Sequence, residues 1–378
     1  MPKAISMRRM LRNDGFTLVE LMMATGITLA VLAVAMATFR NAMDLNDTAT
    51  LVADSSQNLR AGTNLLARDL MQAGRGIPIG GIPIPSGAGV SPLSRPGPPG
   101  GTLTFDNLTQ TTLQSVITGY QLGPVVNGEL TDIVTILADD RTAYVECTSG
   151  SFVPLQVYDP LSPAPAPNPC NLTSPLPTFA LDGSTLDVGQ YTTWITDPVN
   201  GIKAGDLLMF NDSSIQTVTQ VTGTSVSFAT NDPFGFNQPT APSGSITQTI
   251  GDTSSRPLAP ITVKRIQMLT YYVDAVTTPG SPRLARRLNH FPGQAMAGVV
   301  EDVTLTYDLV DGVDNPTQVP HLPATIGGVF FNSSQIRKAN VQIGVRSDTR
   351  SNVRTDYLRH YSSTVVSLRS LAYIDRYR

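Results

Sequence analysis

An unbroken apolar run near the start of the chain constrains the fold more than any other feature. It extends from Phe16 to Phe39 and carries one charged residue, Glu20. As a helix rising about 1.5 Å per residue, it would extend about 36 Å, enough to cross a hydrocarbon core of about 30 Å. Residues 1–15 before it hold four basic residues and one acid. The positive-inside rule therefore predicts that residues 1–15 stay in the cytoplasm and that the chain after Arg40 is exported.

A cleaved secretory signal peptide is the alternative interpretation of this run, because small residues at 33–37 are typical of a signal-peptidase site. Glu20 argues against it. An acid at mid-helix in the membrane costs about 2.5 to 3.5 kcal/mol, and somewhat less near the interface. Export alone gives no interaction that offsets this cost.

The helical pattern also continues past the apolar run. Residues 16–73 contain no proline, and apolar residues recur at seven-residue intervals at Leu45, Val52, Leu59 and Leu66. The pattern predicts one long helix, with a membrane part at 16–39, an amphipathic part at 40–75, and an end at Gly74 or Gly76. The four apolar residues are candidate contacts with other helices, although they could equally pack on the chain's own head.

The remaining residues, 76–378, have the composition of a β-rich head. Charged residues make up only 15% of the chain, and glycine and proline number 31 and 29, which favours short strands and long turns. Strands are predicted at 133–137, 143–147, 207–210, 215–221, 226–228, 261–273, 299–309, 341–345 and 365–373. Two Gly/Pro-rich stretches, 76–101 and 154–177, are predicted to be irregular loops.

These patterns predict an α+β fold: a long N-terminal transmembrane and amphipathic helix, then a large, mainly antiparallel β head with long Gly/Pro-rich loops. A division of the head into about 102–255 and 256–378 is an open alternative.

The head carries no motif for chemistry. The G-x-S-x-G, P-loop and G-x-G-x-x-G patterns are absent. The three histidines, His290, His321 and His360, lack zinc-site spacing, and residues 311–315 are predicted to form a hairpin turn rather than a calcium loop. We therefore expect no enzyme activity, no cofactor and no metal.

Basic residues dominate the C-terminal segment, residues 337–378, although the net charge of the chain is only -3. Alternation along strands would spread these charges over a solvated surface, and no aromatic stacking platform is evident. Nucleic acid is therefore not an expected partner. The basic residues of this segment are Arg337, Lys338, Arg346, Arg350, Arg354, Arg359, Arg369, Arg376 and Arg378.

The only two cysteines, Cys147 and Cys170, flank the second Gly/Pro-rich stretch. In an oxidising compartment they could close a loop of about two dozen residues, which would stabilise the fold by about 3 kcal/mol. Two unpaired, partly buried thiols are the alternative.

The residues Gly15-Phe16-Thr17-Leu18-Val19-Glu20 resemble the processing motif of type IV prepilins and type II secretion pseudopilins. The resemblance implies that a prepilin peptidase cleaves after Gly15 and methylates the new terminal amine of Phe16. It also implies that Glu20 pairs with the Phe16 amine of a neighbouring subunit during assembly. A carboxylate that reaches the cytoplasmic interface is the alternative for Glu20.

Residues 260–375 are similar, more loosely, to PilW-like minor pilins and more distantly to J-type minor pseudopilins. The similarity implies a minor pilin that is anchored in the bacterial inner membrane with an extracytoplasmic head before it joins a fibre. The expected partners are prepilin peptidase, the inner membrane, and other major and minor pilins or pseudopilins. A minor pseudopilin of a type II secretion system remains an alternative, as does a fibre-displayed adhesin or ligand-binding module.

Overall fold

The computed structural model describes most of the chain after Gly15. The described residues are 16–106, 110–147, 150–159, 161, 175–251, 260–310, 313, 315–351, 356–368 and 370–371. They form two compact units: one holds the described parts of 1–53 and 349–358, and the other those of 54–348 and 359–378.

The predicted long helix is present as α1, Leu18–Gln72. It ends where glycine allows the chain to turn, since Gly74 and Gly76 both have positive φ, at 78° and 69°. The Gly74 amide donates to the carbonyl oxygen of Leu137 at 2.9 Å, so the first residues after the helix are bonded to the sheet. Among the described residues, two short α-helices follow, α2 at Thr193–Thr196 and α3 at Ile246–Ile250.

Twenty-four strands lie in the described part of the chain after α1, and the head is mainly antiparallel, as predicted. In chain order they are β1 Ile82–Pro83, β2 Leu93–Arg95, β3 Leu103–Phe105, β4 Thr112–Leu113, β5 Val116–Gly119, β6 Val125–Val126, β7 Glu129–Leu130, β8 Ile133–Asp139, β9 Val145–Glu146, β10 Phe152–Val153, β11 Leu155–Val157, β12 Thr178–Phe179, β13 Thr185–Asp187, β14 Leu207–Phe210, β15 Ser214–Thr217, β16 Gln220–Val221, β17 Ser225–Ser227, β18 Ile261–Asp274, β19 Arg283–Leu288, β20 Gln294–Leu309, β21 Ala324–Ile326, β22 Val329–Phe331, β23 Ile336–Arg346 and β24 Arg359–Ser367.

Ten of these strands form one antiparallel sheet. Its main path runs β15-β14-β18-β19-β20-β23-β24, while β11 and β8 also pair with β18, and β5 pairs with β8. The long strand β18 therefore links β8 and β14 to the C-terminal strands β19, β20, β23 and β24. Strands from both ranges of the suggested division, 102–255 and 256–378, share this sheet.

The C-terminal part of α1 packs on one face of the sheet. Leu59, Leu66 and Leu70 are buried in one cluster with residues of β8, β18, β19, β20 and β23. Each fully buried leucine contributes about 1.5 to 3 kcal/mol. Gly62 permits the close approach, because a Cβ there would lie 3.0 Å from the Ala297 Cβ.

The opposite face is covered by the first Gly/Pro-rich stretch. Ile82, Ile84 and Leu93 from residues 76–101 are fully or almost fully buried against residues of β8, β14 and β18. The prediction of an irregular loop is wrong in detail, since β1 pairs with β4 and β2 pairs with β3. Because both faces are covered, every residue of β8 is buried, which explains its continuous apolar pattern.

Arg95 fixes this stretch to the sheet. Its guanidinium donates to the carbonyl oxygens of Thr118 and Ile117 at 2.8 and 2.9 Å, and to the Thr135 hydroxyl at 3.3 Å. Burial lowers the pKa of Arg95 to about 10. No carboxylate pairs with Arg95 among the described residues, so main-chain carbonyls provide most of its compensation.

A second core lies under a four-stranded sheet of order β12-β13-β17-β16. Trp194 of α2 and Phe210 of β14 are buried in it, and the Trp194 indole donates to the carbonyl oxygen of Ala143 at 2.6 Å.

Two strand predictions are wrong around this second core. The predicted strand 215–221 divides into β15 and β16, because the Thr219 amide donates to Ser227 rather than continuing the β14 pairing. The predicted strand 143–147 shortens to β9, because the Asp140 side chain accepts from the Thr142 amide and forms a 3₁₀ turn over Arg141–Ala143.

The second Gly/Pro-rich stretch also departs from the prediction. Residues 155–157 form β11, which pairs with Ile261–Val263 of β18. Residues 162–174, and with them Cys170, lie outside the described residues.

Candidate assembly and processing site

The predicted cleavage position lies directly before α1. Gly15 lies outside the described residues, and Phe16 is exposed. Helix α1 begins at Leu18 with a capping box that the sequence analysis missed, although the Thr-x-x-Glu spacing at 17–20 signals it. The Glu20 amide donates to the Thr17 hydroxyl at 3.3 Å, and the Thr17 amide donates to the Glu20 carboxylate at 3.1 Å.

Glu20 therefore has a structural role in the single chain as well as the predicted role in assembly. The Thr17 hydroxyl also donates to Glu20 Oε2, at 3.0 Å. Oε2 accepts both hydrogen bonds that Thr17 donates, and Glu20 is exposed. Its other oxygen, Oε1, carries no hydrogen bond among the described residues.

The first part of α1 is long and apolar enough to cross a membrane. Its most apolar stretch is not buried within the chain. The hydroxyls in this part are bonded to the helix's own carbonyls: Thr25 to Met22, Thr28 to Ala24, and Thr38 to Val34 and Ala35. This arrangement lets polar side chains enter hydrocarbon without losing hydrogen bonds.

The seven-residue stripe changes its surroundings along the helix. Leu45 is exposed and Val52 is partly buried, whereas Leu59 and Leu66 are buried in the head core. The structure thus places the last two residues against the chain's own sheet. Leu45 is the stripe residue with the most side-chain surface available for contact with another helix.

Asp69 is a buried acid that the sequence analysis did not single out. Its Oδ2 accepts from the Tyr271 hydroxyl and from Arg286 Nε, each at 2.7 Å. Arg68 Nε lies 3.6 Å from its other oxygen. The signal was its position in the buried stripe of α1, between Leu66 and Leu70. These bonds join the last turn of α1 to β18 and β19.

Two adjacent acids at the end of strand β8, Asp139 and Asp140, have pKa values that are shifted in opposite directions. Asp139 Oδ2 accepts from the Tyr144 hydroxyl at 2.6 Å, while its buried Oδ1 has no partner among the described residues. Burial raises the pKa of Asp139, and the Tyr144 bond offsets this only in part. Burial would also raise the pKa of Asp140, but the Thr142 hydrogen bond and the charge of Arg265, 2.7 Å away, outweigh it and lower that pKa.

This pair predicts two opposite pH effects on stability. A raised folded pKa means that Asp139 favours the folded state most at low pH and that stability is lost as the pH rises through that pKa. A lowered folded pKa means that Asp140 favours the folded state at higher pH and that stability is lost on acidification. We expect Asp139→Asn to remove part of the first slope and Asp140→Asn part of the second, measured by urea unfolding of the full chain between about pH 3 and pH 8. Slopes that both substitutions change in the same direction would contradict this assignment.

The remaining predicted residues do not converge on a centre for chemistry. No group of three or more histidine, cysteine or acidic residues that could hold a metal occurs in the described part of the chain. His290 packs on Phe234 with ring centroids 5.4 Å apart, and His321 packs on Tyr120 at 6.3 Å. His360 is partly buried on β24. Asp311, Gly312 and Asp314 of the predicted hairpin turn lie outside the described residues.

The basic C-terminal segment is partly neutralised. Arg346 and Arg359 bind the two oxygens of Glu301 at 3.0 and 2.7 Å. Arg354, Arg369, Arg376 and Arg378 lie outside the described residues. Cys147 is buried next to β9, and its pairing with Cys170 stays a prediction because Cys170 is among the residues not described.

Comparison with protein families, curated proteins and solved structures finds no match to this chain.

Proposed function

We propose that this chain is a minor type IV pilin, which is anchored in the inner membrane before assembly and joins a pilus fibre through α1. One observation carries the proposal most directly. A single helix begins three residues after Gly15, exposes its apolar first part, and buries its last part in an antiparallel sheet. A subunit that leaves a membrane for a fibre needs such an exposed apolar helix segment, which can move from lipid to neighbouring helices without unfolding the head.

The helix also weakens the signal-peptide interpretation. The candidate signal-peptidase sites at 33–37 lie in the middle of α1. Cleavage there would expose a new helix end with unsatisfied amides. Cleavage after Gly15, in contrast, leaves the Thr17–Glu20 capping box intact.

The geometry supports the proposal because one oxygen of Glu20 is available for a partner in a fibre. Its Oε1 carries no hydrogen bond among the described residues, while Oε2 caps the helix. A terminal ammonium of a neighbouring subunit could therefore bind Oε1 without breaking the cap, and the pair would be strengthened by the low dielectric of a helix bundle. A minor pseudopilin of a type II secretion system would use the same helix, and it remains the second candidate.

The N-terminal residue of the mature protein tests the proposal. We expect mass spectrometry to find N-methylated Phe16 in cells that contain prepilin peptidase, and the uncleaved leader in cells that lack it. The reason is that the peptidase would act on the cytoplasmic side of the span, where residues 1–15 are predicted to lie. A mature start near Met36 or Thr38 in both strains would instead identify a secreted soluble protein.

A further inference from the structure

A pocket in the head has the lining of a site for a neutral, hydroxyl-rich ligand. Its volume is about 260 Å³, and it is lined by residues from four separate segments: Gly80, 110–117, 322–323 and 330–333. This volume is slightly below the range of about 300 to 1,000 Å³ that is typical of small-molecule sites. The pocket therefore fits a small ligand or the end of a larger one.

The polar half of the lining offers both donors and acceptors. Gln114 Nε2 donates to the carbonyl oxygen of Gly80 at 3.0 Å and to the Thr112 hydroxyl at 2.8 Å, which fixes the amide and leaves Oε1 as an acceptor. Asn332 Oδ1 accepts from the Ser334 amide at 3.0 Å, which leaves its N–H groups as donors. The hydroxyls of Thr111 and Ser333, also in the lining, can act in either role.

The apolar half ends in an exposed aromatic ring. Val116, Ile117, Leu322 and Pro323 line the pocket, and Phe330 of β22 lines it while remaining 61% exposed. The face of a phenyl ring carries partial negative charge, so it attracts the polarised C–H groups of a sugar ring. Phe330 therefore supplies an accessible aromatic face beside the amide side chains of the polar half.

Charge narrows the ligand class. Among the described residues, none of those that line the pocket has an ionisable side chain. An anionic or cationic ligand would find no charge partner there and would lose hydration without compensation. A peptide would need a row of main-chain partners such as an open strand edge, whereas these groups come from four segments around one concavity.

We propose that this pocket binds a neutral carbohydrate, with the sugar face on Phe330 and its hydroxyls on Gln114 and Asn332. The proposal specifies the ligand class of the ligand-binding alternative raised from the sequence. It does not depend on cleavage at Gly15 or on fibre assembly, because every described lining residue lies between Gly80 and Ser333.

The test begins with the full chain, purified in a detergent that has no sugar headgroup and applied to an array of neutral and acidic saccharides. We expect at least one neutral saccharide to bind, with a Kd between micromolar and millimolar. We expect the affinity to stay constant between about 0.05 and 0.5 M salt, because no charge takes part. Binding only to acidic saccharides, or to none on the array, would overturn the proposal.

Three variants assign the binding to this pocket. Phe330→Ala and Gln114→Met should each weaken binding of the neutral saccharide at least about tenfold, since they remove the stacking ring and the amide acceptor. Phe152→Ala is the matched control, because Phe152 is 64% exposed on another two-stranded hairpin, β9–β10, and it should leave the affinity unchanged. Circular dichroism spectra and thermal unfolding curves show whether all three variants fold. Equal affinity in the wild-type chain and both pocket variants would also overturn the proposal.

Discussion

Replacement of Asp69 by alanine is expected to lower the free energy of unfolding of the head by about 3 kcal/mol or more. The carboxylate is 3% exposed, and it is the shared acceptor of the Tyr271 hydroxyl and of Arg286 Nε. Alanine would leave a buried hydroxyl and a partly buried cation without that partner. Loss of one member of a buried, hydrogen-bonded ion pair typically costs 3 to 5 kcal/mol.

Urea unfolding of the full chain in detergent, followed by tryptophan fluorescence, measures this effect, because Trp194 is the only tryptophan and lies in the head. Asp54→Ala is the matched control, since Asp54 lies on the same helix but is exposed, and it should change stability by less than about 0.5 kcal/mol. If the two substitutions had equal effects, the hydrogen bonds of Asp69 to Tyr271 and Arg286 would not be what joins the helix to the sheet.

If the chain is the proposed pilin, substitution of Glu20 is expected to remove it from fibres while leaving the head folded and the chain in the membrane. Glu20→Ala removes both the capping box and the charge. Glu20→Gln keeps an acceptor for the Thr17 amide, as a capping box allows, but it removes the charge that would attract a terminal ammonium. If charge pairing directs assembly, the two variants should be depleted from sheared fibres to a similar extent, by tenfold or more.

The comparison of the two variants separates the two roles of this carboxylate. Loss of a cap costs only about 0.5 to 2 kcal/mol of helix stability. Membrane insertion should improve slightly in both variants, because a charge in hydrocarbon is costly. Immunoblots of the membrane and sheared-fibre fractions measure both outcomes. Normal incorporation of Glu20→Gln together with loss of Glu20→Ala would assign Glu20 to helix capping alone.

The long elements could be predicted from the sequence because their patterns are local. The apolar run and the absence of proline indicated α1, and its predicted end at Gly74 or Gly76 agrees with the end at Gln72. Strands β8, β14 and β18 carried sustained apolar runs or alternation, and they were predicted to within two residues. Strands β20 and β23 were also predicted, but each begins five residues earlier than expected. A buried strand needs such a pattern along its whole length.

Features that depend on distant partners could not be predicted in this way. The two- and three-residue strands β1 and β2 are too short to show a period, and each exists only because a later segment pairs with it. The division of 215–221 between two sheets depends on two distant carbonyl oxygens: that of Asp206 accepts from the Val218 amide, and that of Ser227 accepts from the Thr219 amide. The partners of Asp69 lie about 200 residues away in the chain, with Tyr271 and Arg286 on neighbouring strands.

The site residues divide along the same line. The cleavage motif and Glu20 are contiguous residues, so the sequence alone was enough to propose them. The carbohydrate pocket combines four segments, and no single one of them carries a recognisable signal. Only the capping box was both local and missed, since its Thr-x-x-Glu spacing overlaps the cleavage motif.

The attachment of the first Gly/Pro-rich stretch through Arg95 decides where a label can be placed on this protein. Composition suggests that any position between 76 and 101 would accept an inserted epitope or fluorophore. An insertion beside Arg95 would instead pull a buried cation away from the carbonyl oxygens of Thr118 and Ile117. Gly100 and Gly101 are exposed, and a side-chain atom added at either would meet no other atom within 4 Å. A tag between these two glycines would report the position of the head in living cells while its core stays closed.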